Sequence, residues 1–150
     1  NNVIIGRQNI EKYKSNLATV KIKNAIKESE SVISLFDVKT PNTNTLATAL
    51  SGGNQQKFVV GRELEDDPSL LIASQPTRGI DIGAQSLIWE KLRESRDSGL
   101  AVLLISADLE ELIGLSDRII VFYQGSMVKE LNSANLSPED LGGYMTGLKK

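Results

Sequence analysis

Short apolar runs alternate with amphipathic segments along the second half of the chain, and this alternation restricts the fold more than any other feature. Three runs have the length and composition of strands, the first two of them buried: residues 70–73, 101–105 and 118–123. Ala84, Ile88 and Leu92 recur at four-residue spacing, which predicts a helix over residues 82–97 that Gly99 terminates. Strands that alternate with helices predict a parallel sheet in an α/β layer fold.

The rest of the chain is read in the same way. The further predicted elements are a mostly helical segment at residues 8–36, a loop at 39–45, a helix at 54–64, a short helix around Leu109, a hairpin strand at 127–131 and a last helix opened by Ser137 and Pro138. The first convincing strand comes only near residue 70, so we expect the first half of a doubly wound sheet to lie outside this sequence. We therefore expect a fragment of a longer polypeptide, with a small intact α/β domain as the alternative.

Composition excludes several classes of function. Lys and Arg number 17 against 19 Asp and Glu, and this net charge of -2 gives no general attraction to nucleic acid or anionic lipid. The chain has no cysteine, which excludes disulfides and thiolate metal sites and fits a reducing cytoplasm, and it has no histidine. No apolar run reaches the roughly 20 residues of a membrane span, and the first residues do not resemble a signal peptide. A role at a membrane would then depend on a partner.

Residues 50–57 read Leu-Ser-Gly-Gly-Asn-Gln-Gln-Lys and are the most informative stretch. Gly52 and Gly53 allow the backbone to approach a phosphate closely, and a helix that starts here would direct free N–H groups at that anion. Ser51 can add a hydroxyl donor. A plain loop before a helix could carry the same two glycines, so the pair alone does not identify a phosphate site.

Two further stretches place polar residues directly after predicted strands. Residues 70–81 read Leu-Leu-Ile-Ala-Ser-Gln-Pro-Thr-Arg-Gly-Ile-Asp, and residues 103–112 read Leu-Leu-Ile-Ser-Ala-Asp-Leu-Glu-Glu-Leu. Taken singly, Ser74 and Gln75 could be no more than polar residues at the end of a strand. The three stretches, 50–57, 70–81 and 103–112, are more informative together, at this spacing along the chain, than any one of them is alone.

Together these stretches resemble the ATP-binding cassette (ABC) ATPases over roughly residues 40–147. Residues 50–57 resemble the family's signature motif in its sugar-importer form, residues 70–81 its Walker B strand and D-loop, 103–112 its switch strand and H-loop, and 117–125 the strand and turn that close a cassette. The resemblance implies a partial P-loop NTPase-like α/β fold. Residues 1–49 would be part of a helical subdomain with a loop, and residues 50–150 the C-terminal part of the cassette with its mostly parallel sheet.

The same resemblance implies a degenerate hydrolytic site. The family has an Asp that helps to hold Mg²⁺ and a Glu that polarises water where this chain has Ser74 and Gln75, and a His that contacts the γ-phosphate where it has Ala107. Serine is a poor metal ligand, and glutamine cannot act as a base. The phosphate loop Gly-x-x-x-x-Gly-Lys-Ser/Thr does not occur in the sequence. We therefore expect no intact catalytic residue and no metal site, and expect this chain alone to be inactive and to bind neither ATP nor Mg²⁺.

ABC cassettes work in pairs, with each ATP held between the phosphate loop of one cassette and the signature motif of the other. The resemblance thus makes six residues candidates for contact with a partner's ATP: Ser51, Gly52, Gly53, Asn54 and Gln55 of the signature, and Asp81 of the D-loop. The full complex would be an ATP-hydrolysing importer of simple sugars or nucleosides that uses ATP and Mg²⁺.

The expected partners are a second cassette, transmembrane permease subunits and, indirectly, an extracellular substrate-binding protein, with no nucleic acid. The expected location is peripheral, on the cytoplasmic face of the cell membrane. Two alternatives stay open: a non-catalytic regulatory ABC module, and an ABC-type ATPase of DNA repair or chromosome structure. The Pro-Thr-Arg-Gly-Ile-Asp segment at residues 76–81 and the lack of a heptad run argue against the second.

Overall fold

A computed structural model describes residues 2–15 and 19–149 of the chain. These residues divide into two compact units. The first contains the described residues up to Ser69 together with Thr77–Ile88, and the second contains Leu70–Pro76 and the described residues from Trp89 onward. The division falls within one helix, whose first half belongs to the first unit.

The first unit is built on helices α1 (Ile22–Leu35) and α2 (Gly52–Leu64), with short 3₁₀ turns at Asn2–Ile4 and Ala47–Ala49. Helix α1 buries Ala25, Glu28 and Val32, whose spacing of three and four residues places them on one face. The loop predicted at residues 39–45 is confirmed, and α2 begins two residues before its predicted start.

The helix predicted over residues 8–36 is wrong in its first part. Turns occupy residues 8–13, and Lys14 pairs with Val20 in an isolated antiparallel bridge. Residues 16–18 lie outside the described part of the chain. The physical reason is Tyr13, which is fully buried in a small core with Val3 and Ile4 and whose carbonyl accepts from the backbone N–H of Lys21. This packing, which periodicity does not reveal, favours the turns over a helix.

Helices α1 and α2 approach closely at Gly61. A Cβ atom at Gly61 would lie 2.6 Å from Phe36 Cδ2 and 2.8 Å from Val32 Cγ1, closer than side chains pack. Glycine inside a helix normally costs about 0.5–1 kcal/mol relative to alanine. At position 61 we expect alanine to be the less stable residue. Gly61→Ala should lower the free energy of unfolding by about 1–3 kcal/mol, because the added methyl group would overpack the core.

Urea denaturation of the two proteins measures this difference. Gly114→Ala is the matched control, because the nearest atoms to its added Cβ are at 3.6 and 3.8 Å, an ordinary contact distance. We expect Gly114→Ala to leave stability unchanged or slightly raised. A stabilising Gly61→Ala would contradict the close approach of the two helices.

The second unit contains two small sheets and the helices that pack on them. Strands β1 (Leu70–Ser74) and β2 (Ala101–Ile105) are parallel and paired in register. Strands β3 (Arg118–Tyr123) and β4 (Ser126–Asn132) form an antiparallel hairpin. The remaining elements are α3 (Ile82–Asp97), which starts in the first unit, α4 (Leu109–Leu115) and α5 (Pro138–Met145). These positions confirm the α/β prediction, and the bounds of α3, β2 and β3 are those predicted.

The core of the second unit joins α4, α5 and the hairpin. Leu112, Ile119, Val121 and Leu141 are buried together, and Leu104 of β2 packs against them. Helix α3 buries the predicted stripe of Ala84, Ile88 and Leu92.

The prediction that β1 and β2 are buried is wrong for one face of the pair. Leu70, Ile72, Leu103 and Ile105 are exposed by 50% or more within the described residues. Apolar runs of this kind are typical of parallel strands that are covered on both faces. Here the sequence pattern predicts a cover that the described residues do not provide.

None of the described helices has the length and apolar character needed to cross a lipid bilayer.

Candidate functional site

The first unit places residues 51–55, here called the donor loop, at the start of α2. Ser51 occupies the N-cap position with an extended backbone and is exposed, and its side chain accepts no N–H of the helix. The N–H groups of Gly52, Gly53 and Asn54 have no acceptor within α2, as is usual for a first helical turn, and none among the other described residues. Three amide donors and one hydroxyl are thus available at the positive end of the helix dipole.

Two side chains of the donor loop bond back to the protein. Asn54 Nδ2 donates to Ser51 Oγ at 2.9 Å, and Asn54 Oδ1 accepts from the backbone N–H of Lys39 at 2.8 Å. Gln55 Nε2 donates to the carbonyl oxygen of Leu50 at 2.8 Å. The side-chain amides of Asn54 and Gln55 therefore hold the loop in shape, whereas Ser51 and the backbone offer the donors.

Asp81 lies against the donor loop in the same unit. Its Oδ1 accepts from the backbone N–H of Ala84 at 2.9 Å, the bond that an N-cap residue makes at the start of a helix, here α3. A Cβ atom at Gly53 would lie 2.7 Å from Asp81 Oδ2 and 2.9 Å from Ala84 Cβ. Only glycine at position 53 permits this approach, so the starts of α2 and α3 are in direct contact.

Arg78 and Gly79, which precede Asp81, are exposed, and Gly79 has a positive φ of 75°. Thr77 is buried. The resemblance of residues 70–81 to a Walker B strand and D-loop predicts that Arg78, Gly79 and Asp81 lie at an interface with a second cassette, and this stays a prediction.

The second unit brings the other candidate residues to one edge of the parallel pair. Ser74 pairs with Ile105, and the backbone N–H of Gln75 donates to the carbonyl oxygen of Ile105 at 2.7 Å. The carboxyl ends of β1 and β2 therefore lie side by side, with Ser74 and Gln75 following one strand and Ala107 two residues after the other. Gln75 has a positive φ of 50°, a conformation that a residue other than glycine adopts at a cost.

The chemistry of this strand edge is limited. Ser74 and Ala107 are exposed, and Ser106 Oγ accepts from the backbone N–H of Asp108 at 3.0 Å. Asp108 in turn caps α4 by accepting from the N–H of Glu111 at 2.9 Å. Among the described residues, no group of three or more acidic, histidine or cysteine side chains is arranged to hold a metal ion. Ser74, Gln75 and Ala107 offer no carboxylate to Mg²⁺, whereas the donor loop offers hydrogen-bond donors of the kind that phosphate oxygens accept.

Sequence reasoning missed a buried ionic cluster in the first unit. Glu28, only 3% exposed, accepts from the hydroxyl of Tyr13 and pairs with Lys12 at 2.5 Å and with Arg7 at 3.6 Å. Burial, together with the bond to Glu28, raises the pKa of Tyr13 to about 12. A signal was present, because Glu28 lies between Ala25 and Val32 on the apolar stripe of α1.

Comparisons with known proteins agree with these features. The guanosine import ATP-binding protein of Bacillus subtilis is 50% identical over 121 residues, which are 81% of this chain and 24% of that protein. The ribose import ATP-binding protein of Clostridium tetani is 38% identical over 136 residues, which are 91% of this chain and 27% of that protein. The chain thus spans about a quarter of the length of the curated relatives it matches. No protein-family profile matches it.

A solved structure supports the fold. The chain superimposes on an ATP-binding cassette in a post-hydrolysis state with ADP and phosphate, with a TM-score of 0.65 and 22% identity, over 80% of this chain and 51% of that one. The homologues of this chain are therefore import ATP-binding proteins for ribose and nucleosides, and the fold of this chain is that of part of an ABC ATPase cassette.

Proposed function

We propose that the donor loop binds the terminal phosphate of an ATP molecule held by a second cassette. One observation carries the proposal: at the start of α2, where Ser51 and Gly52 are exposed, the N–H groups of Gly52, Gly53 and Asn54 and the hydroxyl hydrogen of Ser51 have no acceptor among the described residues. Phosphoryl transfer depends on positioning and on stabilisation of charge, so such donors promote the reaction without acid or base chemistry.

The strand edge of the second unit supports the other half of the proposal, a degenerate hydrolytic site. Neither the Ser74 hydroxyl nor the Gln75 amide can hold a metal ion as a carboxylate does or accept a proton from water, and the methyl group of Ala107 offers no hydrogen bond. In an assembled pair, ATP with its Mg²⁺ would supply the reactive phosphate at the site that this chain completes. The opposite site would bind ATP mainly to keep the pair closed.

The biological role that follows is the ATPase part of an ABC importer for simple sugars or nucleosides. ABC import ATPases work with partner cassettes and transmembrane permeases and are membrane-associated on the cytoplasmic side. We propose the same partners and location for this chain, with a substrate-binding protein as an indirect partner. The relatives that carry guanosine and ribose in their names favour these two cargo classes.

The test asks two questions: whether this chain binds ATP by itself, and whether it stimulates ATP hydrolysis by a second cassette. Calorimetry with Mg-ATP should show no micromolar binding to this chain alone, because the sequence lacks a phosphate loop. Adding the chain to a cassette that has a phosphate loop but a disabled signature motif should raise ATP hydrolysis, and Ser51→Ala should remove most of that gain. Tight binding or turnover by the chain alone would refute the proposal. Lack of any stimulation would favour a regulatory module instead.

A further inference from the structure

Asn54 fixes the direction of a hydrogen bond within the donor loop. Its side-chain amide lies between two groups, the backbone N–H of Lys39 at 2.8 Å and the hydroxyl of Ser51 at 2.9 Å. A backbone N–H can only donate, so the atom of Asn54 that faces Lys39 must be the amide oxygen. The NH₂ group then necessarily faces Ser51, without any choice between the two orientations of the amide.

The orientation of the Asn54 amide determines which hydrogen bonds the Ser51 hydroxyl can still make. A hydroxyl has one hydrogen to donate and two lone pairs that accept. Because Asn54 donates to Ser51 Oγ, one lone pair is occupied and the hydroxyl hydrogen is directed elsewhere. Ser51 does not cap its own helix, and none of the described residues accepts its hydrogen. The hydroxyl hydrogen of Ser51 is thus available to an acceptor outside the chain.

We infer that Asn54 is a positioning residue that makes Ser51 an obligate donor to phosphate, with Lys39 as the anchor that orients the amide. The inference rests on the proposed function and adds a role for the Asn54 side chain, which acts through Ser51 and does not itself touch ATP. It predicts that position 54 requires a side chain with both a donor and an acceptor. A side chain that only accepts would reverse the Ser51 hydrogen bond and use up its hydrogen.

Asn54→Asp makes this reversal with almost no change in shape. The carboxylate can still accept from Lys39, but it would also accept from the Ser51 hydroxyl and place a negative charge beside the phosphate. We expect kcat of the reconstituted transporter to fall at least as far as in Ser51→Ala, by about a hundredfold or more, with an unchanged unfolding midpoint. Asn44→Asp, the same change in the preceding exposed loop, is the matched control and should leave kcat unchanged.

A double-mutant cycle identifies the route of the effect. Asn54→Ala alone should lower kcat by about tenfold, whereas in a Ser51→Ala background it should lower kcat less than about twofold, because the hydroxyl it orients is gone. NMR of this chain gives a readout that does not depend on activity. The Lys39 amide proton should lose its downfield shift in Asn54→Ala and keep it in Asn54→Asp.

The outcomes distinguish the inference from the function on which it rests. Additive losses from Ser51→Ala and Asn54→Ala would overturn the positioning role and leave the proposed function standing. An unchanged kcat in Ser51→Ala would overturn both the positioning role and the proposed function, because the Ser51 hydroxyl would then make no contact with phosphate that affects turnover. An Asn54→Asp protein as active as Asn44→Asp would also overturn the inference.

Discussion

Replacing Gly53 with aspartate is expected to abolish the ATPase activity and transport of the assembled importer. The carboxylate would lie at the donor loop, where the proposed function places a phosphate, and its Cβ would collide with Asp81 Oδ2 and Ala84 Cβ, at 2.7 and 2.9 Å. For comparison, loss of one preorganised donor costs about 3 kcal/mol in oxyanion sites, and a like charge placed against the phosphate should cost more than that. Steady-state ATPase rates of the reconstituted transporter measure the effect.

Gln75→Ala is the informative comparison, because it alters the strand edge that we propose to be degenerate. We expect turnover within a few-fold of wild type. Glutamine and alanine both bear a Cβ and both pay for the positive φ of 50° at this position, so the backbone strain is nearly the same in the two proteins. Equal and severe losses in Gly53→Asp and Gln75→Ala would mean that Gln75 takes part in the chemistry and that the degenerate-site proposal is wrong.

The steric part of the Gly53 effect can be measured apart from the charge. Gly53→Ala adds only a methyl group, and a Cβ at neighbouring Gly52 would have no atom within 4 Å. Thermal unfolding of this chain should therefore show a lower midpoint for Gly53→Ala than for Gly52→Ala. Equal midpoints would show that α2 and α3 do not approach at this point.

Local patterns account for what could be predicted from the sequence. The stripe of Ala84, Ile88 and Leu92 predicts α3, Gly99 marks its end, and the apolar runs predict β2 and β3 at their observed bounds. These signals are contained within a few neighbouring residues, so they do not depend on the remainder of the fold. The family motifs likewise identify the donor loop, because spacing along the chain is all that they require.

Tertiary contacts account for what could not be predicted. The bond between Asn54 and the backbone of Lys39 joins residues 15 positions apart, and the contact of Gly53 with Asp81 joins the starts of two helices. Neither leaves a periodic trace in the sequence. The helix wrongly predicted at residues 8–15 has the same cause, since the burial of Tyr13 determines the local backbone there.

The ionic cluster around Glu28 leads to the largest expected change in stability. Glu28 is the buried centre to which Lys12, Arg7 and the hydroxyl of Tyr13 converge, and Arg7 also pairs with Asp66 at 3.0 Å. Removing one partner of a buried ion pair leaves uncompensated charge and typically costs about 3–5 kcal/mol. We expect Glu28→Ala to lower the free energy of unfolding by that amount, measured by urea denaturation.

Glu30→Ala is the matched control, because Glu30 lies two residues further along α1 and is exposed. It should change stability by less than about 0.5 kcal/mol. Glu28→Gln should be intermediate, since the amide oxygen can still accept from Tyr13 but no longer carries the charge that pairs with Lys12. Equal stabilities for Glu28→Ala and Glu30→Ala would mean that the cluster is solvated. A large loss of unfolding free energy in Glu28→Ala would instead mean that Glu28 holds the segment containing Arg7, Lys12 and Tyr13 against α1. A charged residue in this role is unusual on the apolar stripe of a helix.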